Sequence, residues 1–358
     1  MRILFVAPPV GPLGGGEGGG TETKLMNLLP ELVRRGHQVG LVAAAGSVSP
    51  SEAVTMYEVS GILPAYATTA PADAQPRVNT DGLLEHMWEV AAREQIHYDV
   101  IVGMCHDWLA YYLTPFFRTP VGHVINVSAT INEVNAIILE RAQAQPERFA
   151  VVSRAQANTF GFANPEHLTV LYNGINLTKY QFTPDPQKRL AWAGRISPEK
   201  GLEDALLVAQ TLGLPIDVCG KVQNEAYWNQ LRQQYAKVEL VYHGFLTQDK
   251  LHQVVRQAMA LLMTPHWVEA FPNVCIEALA AGTPVVAYNY GGPAEIIEDG
   301  ISGYLVPFGN TEALIAAAHR VPELDRAKAR TRVEMFSLSR MADAYEAWLS
   351  RLVAAQPT

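Results

Sequence analysis

Two glutamates with seven residues between them, Glu269 and Glu277, stand in a stretch with no other charged residue before Glu295. Glu277 has apolar neighbours, and a carboxylate in such surroundings is costly unless a polar group meets it. Glu269 lies just before a predicted helix, whose first N–H groups also favour anions and hydroxyls. Together the two acids predict a polyhydroxylated, anionic ligand. The pair alone also fits a plainer interpretation, in which Glu269 complements the helix dipole and Glu277 faces solvent.

Two cations, Arg195 and Lys200, follow a predicted strand in the segment GRISPEKG. Ser197, Pro198 and Glu199 between them are typical of a helix start, so the cations would lie beside helix-end N–H groups. Arginine binds phosphate oxygens in a fork, and lysine adds a point charge. The segment therefore predicts a diphosphate clamp, with two solvated surface cations as the alternative.

A glycine-rich loop follows the first predicted strand, and its Gly14, Gly16 and Gly19 match the pattern G-x-G-x-x-G. A dinucleotide fingerprint starts directly at the strand end and is followed about 20 residues later by an acid that binds the ribose. Here PPVGPL intervenes, and the second strand ends in AAAGS. The glycines still allow close backbone approach to phosphate or sugar. A flexible surface loop is the alternative.

His106 follows a strand predicted at 99–103, and ligands of open α/β sheets bind beyond the carboxyl ends of the strands. A lone histidine is as often structural, so this position alone leaves its role open. The aromatic run after it has helical spacing, which predicts that most of its rings are core. Trp108 and Tyr112 are the predicted pocket residues.

Alternating strands and helices must position these residues. The first half predicts strands at 2–7, 39–44, 99–103, 121–126 and 149–152 and helices at 21–35 and 83–93, with 47–78 irregular. The alternation restarts after a linker, with strands at 190–194, 216–220, 239–244, 260–263, 285–288 and 301–306. The pattern predicts an α/β protein with domains at 1–172 and 189–338, a linker at 173–188 and a final helix at 339–358.

Composition narrows the class of protein. The chain has 358 residues, 49% of them apolar, and a net charge of −8 without a run of lysine or arginine. This argues against nucleic acid or an anionic membrane as the main partner. Three scattered cysteines indicate neither a disulfide framework nor a zinc site. Since no apolar run reaches membrane-spanning length, we expect a cytoplasmic protein without integral membrane association.

The stretch EAFPNVCIEALAAGTPVVAYNYGGPAE resembles the signature of the retaining, glycogen-synthase-like glycosyltransferases, which use nucleotide sugars. The resemblance implies the GT-B architecture, two Rossmann-like domains facing each other across a cleft, with a last helix that crosses back to the N-terminal domain. It implies a donor-sugar contact for Glu269 and a ribose contact for Glu277. Further donor contacts are implied for His106, the catalytic cations Arg195 and Lys200, and Gly19, Gly20, Gly220, Gly244, Phe245, Ala270, Phe271, Pro272 and Asn273.

Within that group, the segments PVGPLGGGEGGG, HDW…YYLTPFF and LLMTPHWVEAFPNVCIEALAAGTPVVAY resemble the cyanobacterial UDP-glucose:tetrahydrobiopterin glucosyltransferases. This implies UDP-glucose as donor, a pterin as acceptor and an α-linked product. The acceptor side is predicted at Pro9, Gly14, Trp108, Tyr112, Asn126 and Ser128.

No cofactor is expected, and no metal either, because no two aspartates stand two apart as a D-x-D metal device would require. Two other classes remain open. An NAD-dependent oxidoreductase would use the glycine loop but leaves Arg195, Lys200 and both glutamates without a role. A non-catalytic module that binds sugar nucleotides would use all of them.

Overall fold

The computed structural model describes residues 1–15, 19–64 and 70–355, so Gly16 of the glycine loop lies outside the described residues. The chain divides into two compact units. The N-terminal unit comprises Met1–Gly174 and Leu338–Thr358, and the C-terminal unit comprises Ile175–Ser337. Each is built around a parallel sheet, which confirms the predicted α/β class with two Rossmann-like domains.

The sheet of the N-terminal unit has seven parallel strands in the order β3-β2-β1-β4-β5-β6-β7. Its middle strands are buried apolar runs, as expected for a parallel sheet covered on both faces. The strands are β1 (Arg2–Val6), β2 (Gln38–Ala44), β3 (Val54–Val59), β4 (Val100–Gly103), β5 (Val121–Ile125), β6 (Phe149–Val151) and β7 (Thr169–Val170). The helices of this part of the chain are α1 (Gly19–Arg34), α2 (Leu83–Glu94), α3 (Trp108–Leu113), α4 (Asn132–Ala144) and α5 (Arg154–Ala157).

Strand β3 corrects the prediction that 47–78 is irregular. It pairs in parallel with β2 and forms one edge of the sheet, with only Val54 and Val59 buried. An edge strand covers little apolar surface, so its sequence lacks the continuous apolar run that marks the middle strands.

The C-terminal unit has six parallel strands in the order β10-β9-β8-β11-β12-β13. They are β8 (Leu190–Ala193), β9 (Ile216–Cys219), β10 (Leu240–Gly244), β11 (Ala260–Met263), β12 (Val285–Tyr288) and β13 (Gly303–Val306). The helices are α6 (Leu202–Leu212), α7 (Glu225–Gln234), α8 (Gln248–Val255), α9 (Asn273–Ala280), α10 (Pro293–Ile296), α11 (Thr311–Arg320) and α12 (Arg326–Arg332).

The helix predicted to start at Ser197 begins later than expected. Pro198–Lys200 forms a single 3₁₀ turn that ends at Gly201, whose φ is 62°, and α6 begins at Leu202. A Cβ on Gly201 would lie 1.9 Å from the carbonyl oxygen of Thr264. Glycine is therefore required at position 201 for two reasons: the backbone is left-handed, and it approaches the end of β11 too closely for a side chain.

The last helix, α13 (Leu338–Ala354), belongs to the N-terminal unit. Its apolar stripe is buried, and Trp348 Nε1 donates to the carbonyl oxygen of Glu147 at 2.8 Å. At its polar edge Arg35 donates to Asp343 and Glu346, each at 2.6 Å. In the described ranges, no helix is both long and apolar enough to cross a bilayer.

Buried Arg326 ties several loops of the C-terminal unit together. Its guanidinium donates to the carbonyl oxygens of Thr183, Ala258 and Arg256 at 2.7 to 3.0 Å, and to Thr283 Oγ1 at 2.9 Å. Backbone carbonyls outside the sheets and helices thus receive their hydrogen bonds from one side chain.

Arg326→Met should lower the free energy of unfolding by about 2 to 4 kcal/mol, because it leaves these buried acceptors without a donor. Urea unfolding followed by circular dichroism measures the loss. Lys328→Met on the same helix removes an exposed cation and serves as the control. Equal stability of the two variants would contradict the structural role of Arg326.

Candidate active site

Glu269 lies in the loop between β11 and α9, at the carboxyl edge of the C-terminal sheet. Its carbonyl oxygen accepts a hydrogen bond from Gly292 N at 2.7 Å, and its backbone bridges to Gly291. A Cβ on Gly291 would lie 2.6 Å from that carbonyl oxygen, and φ of Gly291 is 81°. The Gly-Gly pair after β12 is therefore what lets the Glu269 loop close against the next loop of the edge.

The carboxylate of Glu269 forms an ion pair with Lys200 Nζ and also accepts from Trp267 Nε1 at 2.8 Å. Both charged side chains are largely buried, with 15% of Lys200 and 11% of Glu269 exposed. Lys200 Nζ also lies 4.7 Å from the centre of the Trp267 ring, a cation–π contact. The two residues were predicted to act on different parts of a ligand, and the structure brings them together.

Arg195 lies in the loop after β8 and is only lightly held. Its guanidinium donates to Gln223 Oε1 at 2.8 Å and lies 3.6 Å from a Glu199 carboxylate oxygen. The Glu199 carboxylate also accepts from Ser197 Oγ at 2.6 Å. With 36% of its side chain exposed, Arg195 can take an anionic ligand without breaking a buried contact.

The side chain of Glu277, on α9, is half-buried within the C-terminal unit. Gln248 Nε2 donates to its carboxylate at 3.0 Å and to the hydroxyl of Tyr180 at 2.8 Å. Burial raises the pKa of Glu277, and the bond from Gln248 opposes that shift. A carboxylate accepts up to about four hydrogen bonds, so Glu277 keeps capacity for ligand hydroxyls.

Gln248 and Tyr180 were not predicted. Gln248 opens α8 after Thr247, and Tyr180 follows the predicted linker turn. Neither position carries a sequence signal, because the contact with Glu277 arises only when α8 and α9 pack together.

The remaining predicted donor residues of the C-terminal unit lie at the same sheet edge. Gly220 N donates to the carbonyl oxygen of Gly244 at 2.8 Å, and the ring of Phe245 is 54% exposed. Ala270 and Phe271 are buried, and Phe271 packs edge-on against Phe336. Pro272 caps α9 and Asn273 is its first residue.

His106 follows β4 in the N-terminal unit, edge-on to the rings of Tyr111 and Phe160. Both of its ring nitrogens are buried without a hydrogen-bond partner among the described residues. Burial lowers the pKa of His106 to about 4, so the imidazole is neutral at physiological pH. Such a ring can donate from one nitrogen and accept at the other.

Trp108 and Tyr112 stack on each other at 4.6 Å and border a cavity of about 340 Å³. Helix α4 supplies the opposite lining, including Glu133, Glu140 and Arg141. Arg141 Nε is buried and has no partner among the described residues. The predicted pair therefore does border a cavity, beside charged residues that the sequence analysis did not single out.

The other predicted acceptor residues are not part of that cavity lining. Pro9 and Ser128 are buried, and Gly14 N donates to Glu22 Oε1 at 2.7 Å. Asn126 accepts from the buried Lys24, which the sequence analysis missed. Gly19 and Gly20 form the first two positions of α1.

Among the described residues, no cluster of three or more His, Cys, Asp or Glu could hold a metal ion.

Comparisons with known proteins agree with this architecture. Residues 177–334 match the family described as Glycosyl transferases group 1, and residues 18–179 match Glycosyltransferase Family 4. An uncharacterized glycosyltransferase of Methanocaldococcus jannaschii is 25% identical, with 85% of each chain covered. The D-inositol 3-phosphate glycosyltransferase of Corynebacterium aurimucosum is 24% identical, with 86% of this chain and 84% of the relative covered.

Solved structures share the fold at lower identity. Anabaena HepE in complex with UDP-glucose superposes with a TM-score of 0.75 at 18% identity, covering 98% of this chain and 100% of HepE. Sucrose-phosphate synthase from Thermosynechococcus elongatus also gives 0.75 at 18% identity, covering 99% and 100%. The matched families and the relatives are glycosyltransferases, which favours that class over the oxidoreductase and the non-catalytic module. The chain is a glycosyltransferase enzyme with the GT-B fold, and each half of it matches a different glycosyltransferase family.

Proposed function

We propose that this enzyme transfers glucose from UDP-glucose to a small-molecule acceptor, a pterin such as tetrahydrobiopterin, with retention of the α configuration. The observation that carries the donor assignment is the carboxyl edge of the C-terminal sheet. It holds a half-buried carboxylate with spare acceptor capacity, Glu277, and a lightly held, partly exposed cation, Arg195. A sugar nucleotide offers the matching groups, ribose hydroxyls and a diphosphate.

In this proposal Glu277 accepts hydrogen bonds from the ribose, and the uracil rests against Gly220, Gly244 and Phe245. Arg195 and Lys200 bind the diphosphate together with the amides of Gly19 and Gly20. In this arrangement Lys200 contacts two anions, the diphosphate and Glu269. The ion pair with Glu269 already holds the Lys200 ammonium in place. Glu269 and the segment 270–273 contact the glucose, and neutral His106 positions it through its two unpartnered nitrogens.

The chemistry is a front-face displacement through an oxocarbenium-like transition state. The bond between the anomeric carbon and the β-phosphate oxygen breaks as the acceptor hydroxyl bonds on the same face, and the leaving phosphate takes the acceptor's proton. Because Glu269 is neutralised by Lys200, it is a poor candidate for a glycosyl-enzyme nucleophile. Cations that stabilise the developing phosphate charge more than the bound donor act on the transition state itself.

The acceptor assignment rests on the N-terminal unit. The exposed Tyr112 and its stacking partner Trp108 offer a platform for a flat heteroaromatic ring.

Three free, buried cysteines suit a reducing cytoplasm, where we place the enzyme. No metal or other cofactor takes part in the proposed reaction.

Incubation of the enzyme with UDP-glucose and tetrahydrobiopterin in the presence of EDTA tests the proposal. The expected result is acceptor-dependent release of UDP and a hexosylated pterin, detected by mass spectrometry. No turnover with any nucleotide sugar would contradict the donor assignment, and activity that returns only with manganese or magnesium would contradict metal independence.

Glu277→Ala should weaken UDP binding by about 1.5 to 3 kcal/mol, the contribution of hydrogen bonds to a charged group. Isothermal titration calorimetry measures the affinity, and circular dichroism verifies the fold. Glu312→Ala removes an exposed carboxylate of the same unit and is the matched control. Unchanged affinity in folded Glu277→Ala would remove Glu277 from the donor site.

Arg195→Ala should lower kcat by about 10² to 10³-fold, the scale of losing one donor that stabilises transition-state charge. Steady-state kinetics at saturating UDP-glucose measures kcat. Lys237→Ala, which removes an exposed cation of the same unit, is the control. A rise in KM for UDP-glucose with kcat intact would instead mean that Arg195 binds the donor and the transition state equally.

A further inference from the structure

The N-terminal unit contains a buried cation that none of the roles above uses. Lys24 lies on α1 with only 2% of its surface exposed, and it is the only lysine in residues 1–174 and 338–358. Its ammonium donates to Asn126 Oδ1 at 2.5 Å. No carboxylate of the described residues forms an ion pair with it, and burial alone lowers the pKa of Lys24 to about 7.

The ammonium of Lys24 is held in place, but not all of its N–H donors have an acceptor. Lysine has three N–H donors, and Asn126 accepts from one of them. That amide is itself fixed, because its Nδ2 donates to the carbonyl oxygen of Val124 at 2.8 Å and lies 3.5 Å from that of Met104. A buried amine with unmet donors costs free energy, and methionine or leucine would fill the same space without that cost.

A second group with unmet hydrogen bonds lies at the same sheet edge. His106 follows Met104 by two residues, and both of its ring nitrogens are buried without a partner among the described residues. Strands β4 and β5 are neighbours and parallel, so the loops that carry His106 and Asn126 leave the sheet side by side. Polar groups that protein atoms do not satisfy thus gather where α/β sheets bind ligands.

We propose that Lys24, held by Asn126, is the residue that selects the acceptor substrate. It donates to an acceptor oxygen that can only accept hydrogen bonds, either a lactam carbonyl or the oxyanion of a carboxylate or phosphate. The inference rests on the proposed function, since it names the ligand group that the acceptor side of the transfer reaction recognises. A site built to hydrogen-bond one group discriminates strongly against molecules that lack it.

Lys24→Met tests the inference, with kinetics for three acceptors at saturating UDP-glucose. Tetrahydrobiopterin offers a lactam carbonyl, glycerol 3-phosphate an oxyanion, and glycerol hydroxyls only. The variant should raise KM for the acceptor that the wild type prefers, tetrahydrobiopterin or glycerol 3-phosphate, by about tenfold to a hundredfold. KM for UDP-glucose and the affinity for UDP should stay unchanged. Arg34→Met, which removes an exposed cation from the same helix, is the control.

An unchanged acceptor KM overturns the inference, and so does an equal loss for glycerol and for UDP-glucose, which would indicate a general structural defect. If Lys24→Met fails to fold, the double variant Lys24→Met with Asn126→Leu replaces it, since it removes the ammonium and its acceptor together. Failure of the wild type to use any of the three acceptors contradicts the proposed acceptor class separately. In that case calorimetry measures the binding of tetrahydrobiopterin and of inorganic phosphate to both proteins. One of these ligands should bind the wild type and not the variant. Equal binding to both proteins, or binding to neither, overturns the role of Lys24.

Discussion

A buried ion pair, Lys200 with Glu269, joins two loops at the carboxyl edge of the C-terminal sheet, and the geometry of the proposed donor site depends on it. Burying two charges costs several kcal/mol of desolvation, which their attraction offsets only in good geometry. Gly201 and Gly291 supply that geometry, because each lets a loop approach a backbone that a side chain would block. Loss of either charge would leave the other buried and uncompensated.

The same edge combines a neutralised cation with an accessible one, and the two suit different tasks. Lys200 is fixed by Glu269 and Trp267, so in the proposed donor site it would offer the phosphate a preorganised charge that needs little rearrangement. Arg195 is partly exposed, so in the same proposal it would follow the phosphate as charge develops during bond breaking.

The sequence predicted the element order well where strands are buried on both faces, because continuous apolar runs such as those of β1 and β11 have few other interpretations. It missed β3, an edge strand, and it placed the start of α6 too early, because Ser-Pro-Glu suits a 3₁₀ turn as well as a helix. The proposed donor residues come from a motif of fixed spacing and remain a prediction. Lys24 and Gln248 were missed because each acquires its partner only through tertiary packing.

We expect the proposed donor site to transfer glucose with retention, by a front-face route that uses no enzyme nucleophile. The anomeric configuration of the purified product, read from the proton coupling constant by NMR, tests this most directly. An α-glucosidic linkage from the α-linked donor is the expected result. A β-linked product would contradict it.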